Sequence, residues 1–459
     1  MYQLPSNLST YYNSYIDNDI REFKLECIIN GKVLEESEIS SINIEYDLLS
    51  GAEEYTIGNL AAAKLTMVVS KNAPVSVSRT IQLIVKLKAQ DYVGNTIWIP
   101  VPMGKFYIFN VSSSKLSKTV TAYDDLYKTD LENEYVSLLE YPQKVQDVLT
   151  ELCSILNIEL NSANIPDETI NRPPIVNEII KREDGKLEVV ESDSDRVCFG
   201  MTVGQALGYI ASYLGGNFIV DGDTKLKLIK YPTKATKSYS YSMFCDKTVG
   251  DASYHTTGLD CSIYEGNIIS VGSNDPGGNI SFDNPFMDRT RLLNMLAQFK
   301  IISYQQAKLK LKGNPILQLG DAIYTYELDE LGLEYNTLLT PILRMTFSYT
   351  GGCSNIIESP CKSLAEKTIN YKGTLSSRMD RLENTVTSTN SEIDRINNTL
   401  STLKTVKDNM QDMASLINSM PYEVDTYKYM QYTSLLQKTL DSDTSFDLKY
   451  ETVYNHKFL

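Results

Sequence analysis

The chain has 459 residues, 42% hydrophobic and 22% charged, enough to bury two to four globular domains. Its formal net charge of −15 argues against gripping a nucleic-acid backbone through neutralising cations. No apolar run is long enough to span a bilayer, and the opening MYQLPSNLSTYYN lacks a basic stretch followed by an apolar one, so neither a membrane span nor a signal peptide is expected.

From about residue 23 to 120 the apolar residues mostly alternate. KLTMVV (64–69), TIQLIV (80–85) and KFYIF (105–109) read as strands, broken by Gly51, Gly94 and Gly104. This predicts a β-domain, a barrel or a sandwich. After Asp124 the character changes. Pro142 suits a helix's first turn, and Val145, Val148, Leu149, Leu152 and Leu156 mark one helical face behind it. Thr202 is a good N-cap for a second helix, with Val203, Leu207, Ile210 and Leu214 on one stripe and a stop at Gly215-Gly216. FIV (218–220), an Asp221-Gly222 turn and KLKLI (225–229) predict a hairpin. Between the helices, residues 165–196 are polar and rich in proline and acid, an exposed loop or hairpin. The β-pattern returns from about Lys237. KLKLK (308–312), AIYTY (322–326) and ILRMTFSY (342–349) are predicted strands, one helix falls near 290–298, and strands end by about Gly352. The expected divisions are 1–125, 126–236 and 237–372.

Past Gly373 the period lengthens. Leu375, Met379, Leu382, Val386, Thr389, Ile393, Ile396, Leu400 and Leu403 fall four and three apart, and Met410 and Ile417 continue the seam. That is heptad spacing, and isoleucine at neighbouring a and d positions (Ile393, Ile396) favours three or four strands over two. Thr389 and Lys407 weaken the seam but help fix its register. A stripe this narrow wants copies of itself rather than a broad core. Residues 373–420 are therefore predicted to form a trimeric coiled-coil stalk, roughly 65 Å long if helical over 375–417, ending at Pro421. Residues 421–459 carry Tyr422, Tyr427, Tyr429, Tyr432, Tyr450 and Tyr454, amphipathic rings that suit a segment docking a partner.

Signatures of chemistry are wanting. His255 and His456 are the two histidines, too far apart and too unlike in context for a Ser-His-Asp triad or a histidine metal site. G-x-S-x-G, HExxH and GxxxxGK[ST] do not occur. NDPGGN (274–279) reads as a turn, and DSDTSFD (441–447) opens like a calcium loop but lacks glycine at its sixth position. The seven cysteines (Cys27, Cys153, Cys198, Cys245, Cys261, Cys353, Cys361) form no CxxC pair and read as buried free thiols of a reducing cytoplasm. No catalytic residue, cofactor or metal is expected.

Longer stretches carry a resemblance. TIGNLAAAKLTMVV (56–69), PMGKFYIFNV (102–111) and TAYDDLYKTD (121–130) resemble the N-terminal part of phage tail-tip hub proteins. YPQKVQDVLTELCSILNIEL (141–160) and GMTVGQALGYIASYLGGNFIVDGDTKLKLIKY (200–231) look like their central segment. DNPFM (283–287), KGNPILQLGDAIYTY (312–326) and SYTGG (348–352) look like the end of the hub. The family is the tail-associated (Tal-type) hub, similar in fold to the baseplate hub of contractile-tailed phages and related bacteriocins. The match covers roughly residues 20–355, in family order.

The resemblance implies an α+β, β-rich chain with two tube-like β-barrel regions flanking an α/β segment, followed by the coiled coil. It implies a homotrimer that closes the hexameric tail tube, meets the end of the tape-measure protein, carries a tail fibre or receptor-binding protein, and touches DNA only in passage. The place implied is the virion tail tip, assembled in the host bacterial cytoplasm. Many family members extend into peptidase or lysozyme domains; this chain runs into a coiled coil instead, which favours a non-enzymatic adaptor. The alternative is a tail-associated cell-wall hydrolase.

Overall fold

Alternating apolar residues make strands wherever one face of a sheet is buried. In the computed structural model the first region does this seven times, as β1 (Phe23–Ile29), β2 (Lys32–Leu34), β3 (Ile39–Asp47), β4 (Lys64–Ser70), β5 (Thr80–Gln90), β6 (Thr96–Ser113) and β7 (Ser117–Tyr123). In β4, Leu65, Met67 and Val69 are wholly buried while Thr66 and Val68 between them are half-buried. The inward residues of these strands, among them Cys27, Ile44, Leu83, Val101 and Val120, share one core. The structure describes residues 2, 4–9, 11–12, 21–130, 135, 137–173, 177–181, 187–191, 196–198, 201–240, 243–264, 267–273, 278–328 and 333–362. By contacts the chain divides into Met1–Lys372 and Gly373–Leu459, and every described residue belongs to the first unit.

The middle segment comprises β8 (Gln143–Lys144), α1 (Val145–Leu156), β9 (Glu159–Leu160), β10 (Thr169–Ile170), β11 (Asn177–Lys181), β12 (Leu187–Glu191), α2 (Val203–Tyr213), β13 (Asn217–Val220) and β14 (Lys225–Ile229). The five apolar positions read as one face of α1 are all buried. Thr202 caps α2 by accepting from the Gln205 backbone N–H, and the Gln205 side chain returns to the Thr202 N–H, a reciprocal capping box. Asp221 closes the β13–β14 hairpin by accepting from the Asp223 and Lys225 N–H groups. The polar stretch between the helices contains the antiparallel pair β11–β12, a hairpin.

The last region holds β15 (Lys237–Ser240), β16 (Phe244–His255), β17 (Gly258–Tyr264), β18 (Asn267–Gly272), β19 (Asn279–Asp283), α3 (Arg289–Phe299), β20 (Ser303–Lys312), β21 (Ala322–Leu328), β22 (Glu334–Pro341), β23 (Arg344–Tyr349) and β24 (Cys353–Ser359). β24 corrects the expectation that strands end by Gly352. Its inward residues are Asn355, Ile357 and Ser359, all fully buried, so two of three are polar and no hydrophobic alternation marks it.

The two β-rich regions are not separate sheets. Eleven strands run β16-β20-β24-β23-β3-β4-β7-β6-β5-β1-β2, each antiparallel to the next, and β23 joins β3 from Arg344 opposite Asp47 to Tyr349 opposite Ile42. Within this sheet one four-strand arrangement occurs twice. Side by side, β3-β4-β7-β6 stand in the chain order first, second, fourth, third. So do β16-β20-β24-β23, with the same alternation of direction. A straight row of paired residues crosses both units: Phe244, Leu311, Asn355, Phe347, Ile44, Leu65, Ala122, Ile108. Nothing in the sequence shows that the regions share a fold; the strand order does.

In each unit the connection from first to second strand is long, and both connections enter a second core with α1 and α2. Residues 48–63 contribute Leu48, Leu49, Tyr55, Ile57 and Ala61, and residues 256–302 contribute Leu259, Cys261, Met287, Leu292 and Phe299.

Candidate functional site

Among the described residues no constellation for catalysis emerges. His255 stands exposed at the end of β16. Among the described residues no group of three or more His, Cys, Asp or Glu is placed to hold a metal ion, and no helix is long and apolar enough to cross a membrane. All seven cysteines are free; five are buried, Cys353 is half-buried, and Cys245 is exposed, against expectation. Cys245 lies on a strand at the end of the sheet, where no neighbour covers it among the described residues. Burial pushes the Cys27, Cys153, Cys198 and Cys261 thiols up to about 12, which keeps them protonated and inert. The predicted seam from Leu375 to Ile417 and the six tyrosines from Tyr422 to Tyr454 lie outside the described residues, as does DSDTSFD.

What the structure does bring together is a set of polar joints between the repeated units and the middle segment. A buried amide left without partners costs several kcal/mol, so each must be fully answered. Asn217, at the start of β13, accepts from the Asn59 N–H at 2.9 Å and donates to the Thr56 carbonyl at 3.0 Å. That ties the middle segment to the connection of the first unit. Asn284 donates to the Tyr209 carbonyl at 2.7 Å and the Ser212 hydroxyl at 2.8 Å on α2, while accepting from the Phe286 N–H. It ties the connection of the second unit to the same helix.

Asn314 is the most heavily used. Its amide donates to the Tyr239 hydroxyl at 2.7 Å and accepts from the Tyr12 hydroxyl at 2.7 Å and the Ile316 N–H at 3.3 Å, while its own N–H donates to the Asn355 side chain at 2.6 Å. That last bond explains the polar member of the otherwise apolar row. Both Asn284 and Asn314 precede proline, a pair that commonly opens a turn. The Asn-Pro pairs inside DNPFM and KGNPILQLG were the available signal, and nothing local distinguishes a joint from a turn.

Arg291 pins α3 to the end of α2. Its guanidinium lies 3.3 Å over the Tyr213 ring, donates to the Tyr213 carbonyl through two nitrogens, and pairs with Glu168. Lysine offers no planar fork for that carbonyl. Arg291→Lys should lower the stability of the described unit by about 2 kcal/mol in urea denaturation, and an unchanged midpoint would show the pin to be dispensable.

The first unit meets the segment that follows β7 at Asp124, whose buried carboxylate accepts from the Ala63 N–H at 2.8 Å and the Leu126 N–H at 3.0 Å. Beside it Asp125 pairs with Lys128 at 2.5 Å. Burial pushes the Asp124 carboxyl up to about 7, against the pull of those two N–H groups. In the unfolded chain it titrates near ~4. A carboxyl that holds its proton more tightly when folded contributes stability that is fully present below the unfolded value and lost as pH rises through about 7. Denaturation between about pH 4 and pH 8 should therefore show stability that falls and then levels off, and Asp124→Asn should flatten that slope.

The described chain ends under an aromatic stack. Tyr304 donates to the Pro360 carbonyl at 3.0 Å, accepts from the Tyr55 N–H at 3.2 Å, and stacks on Tyr254 with centroids 5.2 Å apart. Tyr231 also stacks on Tyr304, with centroids 6.3 Å apart, and Lys362 approaches Glu53 at 3.9 Å. The last strand is thus tied to the first unit's connection where residues 363–459 begin.

No protein-family model matches the sequence, and no curated protein matches it. Among solved structures the chain is similar to a tail protein from Neisseria meningitidis MC58, with TM-score 0.46 and 12% identity over 75% of this chain and 98% of that one. It is similar to the 43 kDa tail protein of prophage MuSo2 from Shewanella oneidensis, with TM-score 0.41 and 12% identity over 73% and 97%. It is also similar to prophage tail protein gp18 from Listeria monocytogenes EGD-e, with TM-score 0.39 and 11% identity over 75% and 97%. These three solved structures are described as tail proteins, two of them from prophages, and at such identities and TM-scores they assign no role to this chain.

Proposed function

We propose that the chain is the structural hub of a phage or phage-like tail tip, a homotrimer that adapts a sixfold tail tube to threefold symmetry and carries distal components. The observation that carries this reading is the four-strand unit repeated in one sheet in the same order and direction. Where the sheets of neighbouring copies close into a ring, two such units repeat around an axis along the strands with no flip between them. One copy therefore offers two alike surfaces around that axis, and three copies offer as many as a hexameric ring. The segments that resemble the hub family support it, since they build β4, β6, β7, α1, α2, the β13–β14 hairpin and both Asn-Pro joints.

On this reading the molecule is not an enzyme. Its partners are two further copies, the hexameric tube, the tape-measure end and a tail fibre or receptor-binding protein, with DNA passing through. Light scattering on the full chain tests the threefold state, and imaging the intact particle with this chain located tests its position at the tip. A monomer, or a location elsewhere in the particle, would reject the reading. A cleared band on a cell-wall zymogram would favour the hydrolase instead.

The predicted stalk has its own test. Ile393→Asp with Ile396→Asp would bury unpaired charge at the seam, at a cost of several (~3–5) kcal/mol per trimer. Trimers should weaken or vanish in light scattering; an unchanged trimer would mean that the β-rich part alone sets the assembly.

A further inference from the structure

Among the exposed apolar groups of the described surface are two projections of opposite charge, one on each four-strand unit. On the unit β3-β4-β7-β6, the β6–β7 turn holds Leu116 86% exposed, and the loop 71–79 beside it holds Val77 54% exposed. The Lys71 N–H donates to the Leu116 carbonyl at 3.2 Å and Lys118 Nζ to the Ala73 carbonyl at 2.8 Å, so loop and turn form one surface. The Ser114 hydroxyl accepts from the Ser117 N–H and fixes the turn. Segments 71–79 and 114–118 contain Lys71, Arg79, Lys115 and Lys118 and no acid.

The other projection is the β21–β22 hairpin, which leads from β20 to β23 in the second unit. There Leu328 is 53%, Leu333 63% and Tyr335 45% exposed. Glu327 and Glu334 flank them, and no cation stands among the described residues 327–328 and 333–335. Exposed apolar groups gathered in one place mark a surface that is covered in use. Opposite charge around the two makes each a fit for the other and not for itself. They lie on different units, so contact between copies runs head to tail, which closes into a ring when the rotation allows. A second copy supplies both halves in equal number, whereas any other partner would have to match each separately.

Building on the threefold reading above, we propose that the β21–β22 hairpin of one copy docks on the β6–β7 turn and the 71–79 loop of the next. The test is a full-length Cys245→Ser chain carrying Leu116→Cys and Leu328→Cys, oxidised and run on a non-reducing gel beside light scattering. Covalent oligomers should form up to a closed ring and be absent from either single variant. Adding Glu327→Lys and Glu334→Lys should abolish the cross-link, and further adding Lys71→Glu and Lys115→Glu should restore it. A trimeric parent whose double-cysteine form gives no covalent oligomer, or only a bond within one chain, overturns the pairing and leaves the threefold reading intact. A monomeric parent overturns both.

Discussion

Asn314→Ala is expected to lower the stability of the described unit by about 4 kcal/mol, a large share of the ~5–15 kcal/mol that holds a typical domain folded. Three bonds disappear at once, those with Tyr239, Tyr12 and the Ile316 N–H. Tyr12 and Tyr239 are nearly inaccessible, so water cannot take the place of the lost amide without opening the core. Burial pushes the Tyr239 phenol up to about 12, so it remains a hydroxyl and cannot answer the loss by ionising. Asn355→Leu makes a useful contrast. It leaves one orphaned N–H on Asn314 but adds apolar volume to the row that crosses both units, so it should cost only about 1–2 kcal/mol. Urea denaturation of the two variants, followed by circular dichroism, gives the comparison; equal losses would show that the network at Asn314 has no special weight.

Gly58→Val is the second large effect, about 3 kcal/mol or more. Gly58 has φ +87°, a left-handed backbone that a β-branched residue strongly resists. An added Cβ would also lie 3.1 Å from Ser212 Cβ and 3.3 Å from the Gly208 carbonyl, where the first unit's connection crosses α2. The Gly58 N–H donates to the Gly216 carbonyl at 2.9 Å, so backing away from the helix breaks a backbone bond as well. Gly51 separates the two causes: its φ is +89° but nothing lies within 4 Å of the added atom. Gly51→Ala should therefore cost about 1–2 kcal/mol, from conformation alone. Hydrogen exchange should quicken along α2 in the Gly58 variant and not in the Gly51 variant; equal protection of α2 in both would mean that the close crossing does not hold the helix.

Local elements were legible where one residue type decides the structure. Thr202 with Gln205 announces a helix start, Asp221-Gly222 a hairpin, and Val145 to Leu156 an amphipathic face, and each stands where the pattern puts it. β24 was not legible, because Asn355 and Ser359 occupy buried positions and answer their polarity through long-range bonds that no window of sequence displays. The same limit hid the joint between the two β-rich regions. Asp47 meets Arg344 both by strand pairing and by an ion pair at 3.0 Å, and neither residue signals the other. The joints at Asn217, Asn284 and Asn314 escaped for that reason too. The heptads and the tyrosine-rich tail were plain in the sequence, and they lie outside the residues that the structure describes.

The doubled unit has a genetic consequence. The two versions are read from different stretches of one gene, so they can differ: the row that crosses them has Ile44 and Ala122 in one unit where Phe244 and Asn355 stand in the other. In a threefold hub, a substitution in either version recurs at every second position around the ring and leaves the alternate positions untouched. A surface lesion should thus weaken half of the contacts with a sixfold neighbour, where the same lesion in a hexameric tube protein would weaken all of them. On the hub reading proposed above, mutations on this chain's outer face should accordingly be milder than matched ones in the tube, and suppressors should arise in the sister unit of the same chain.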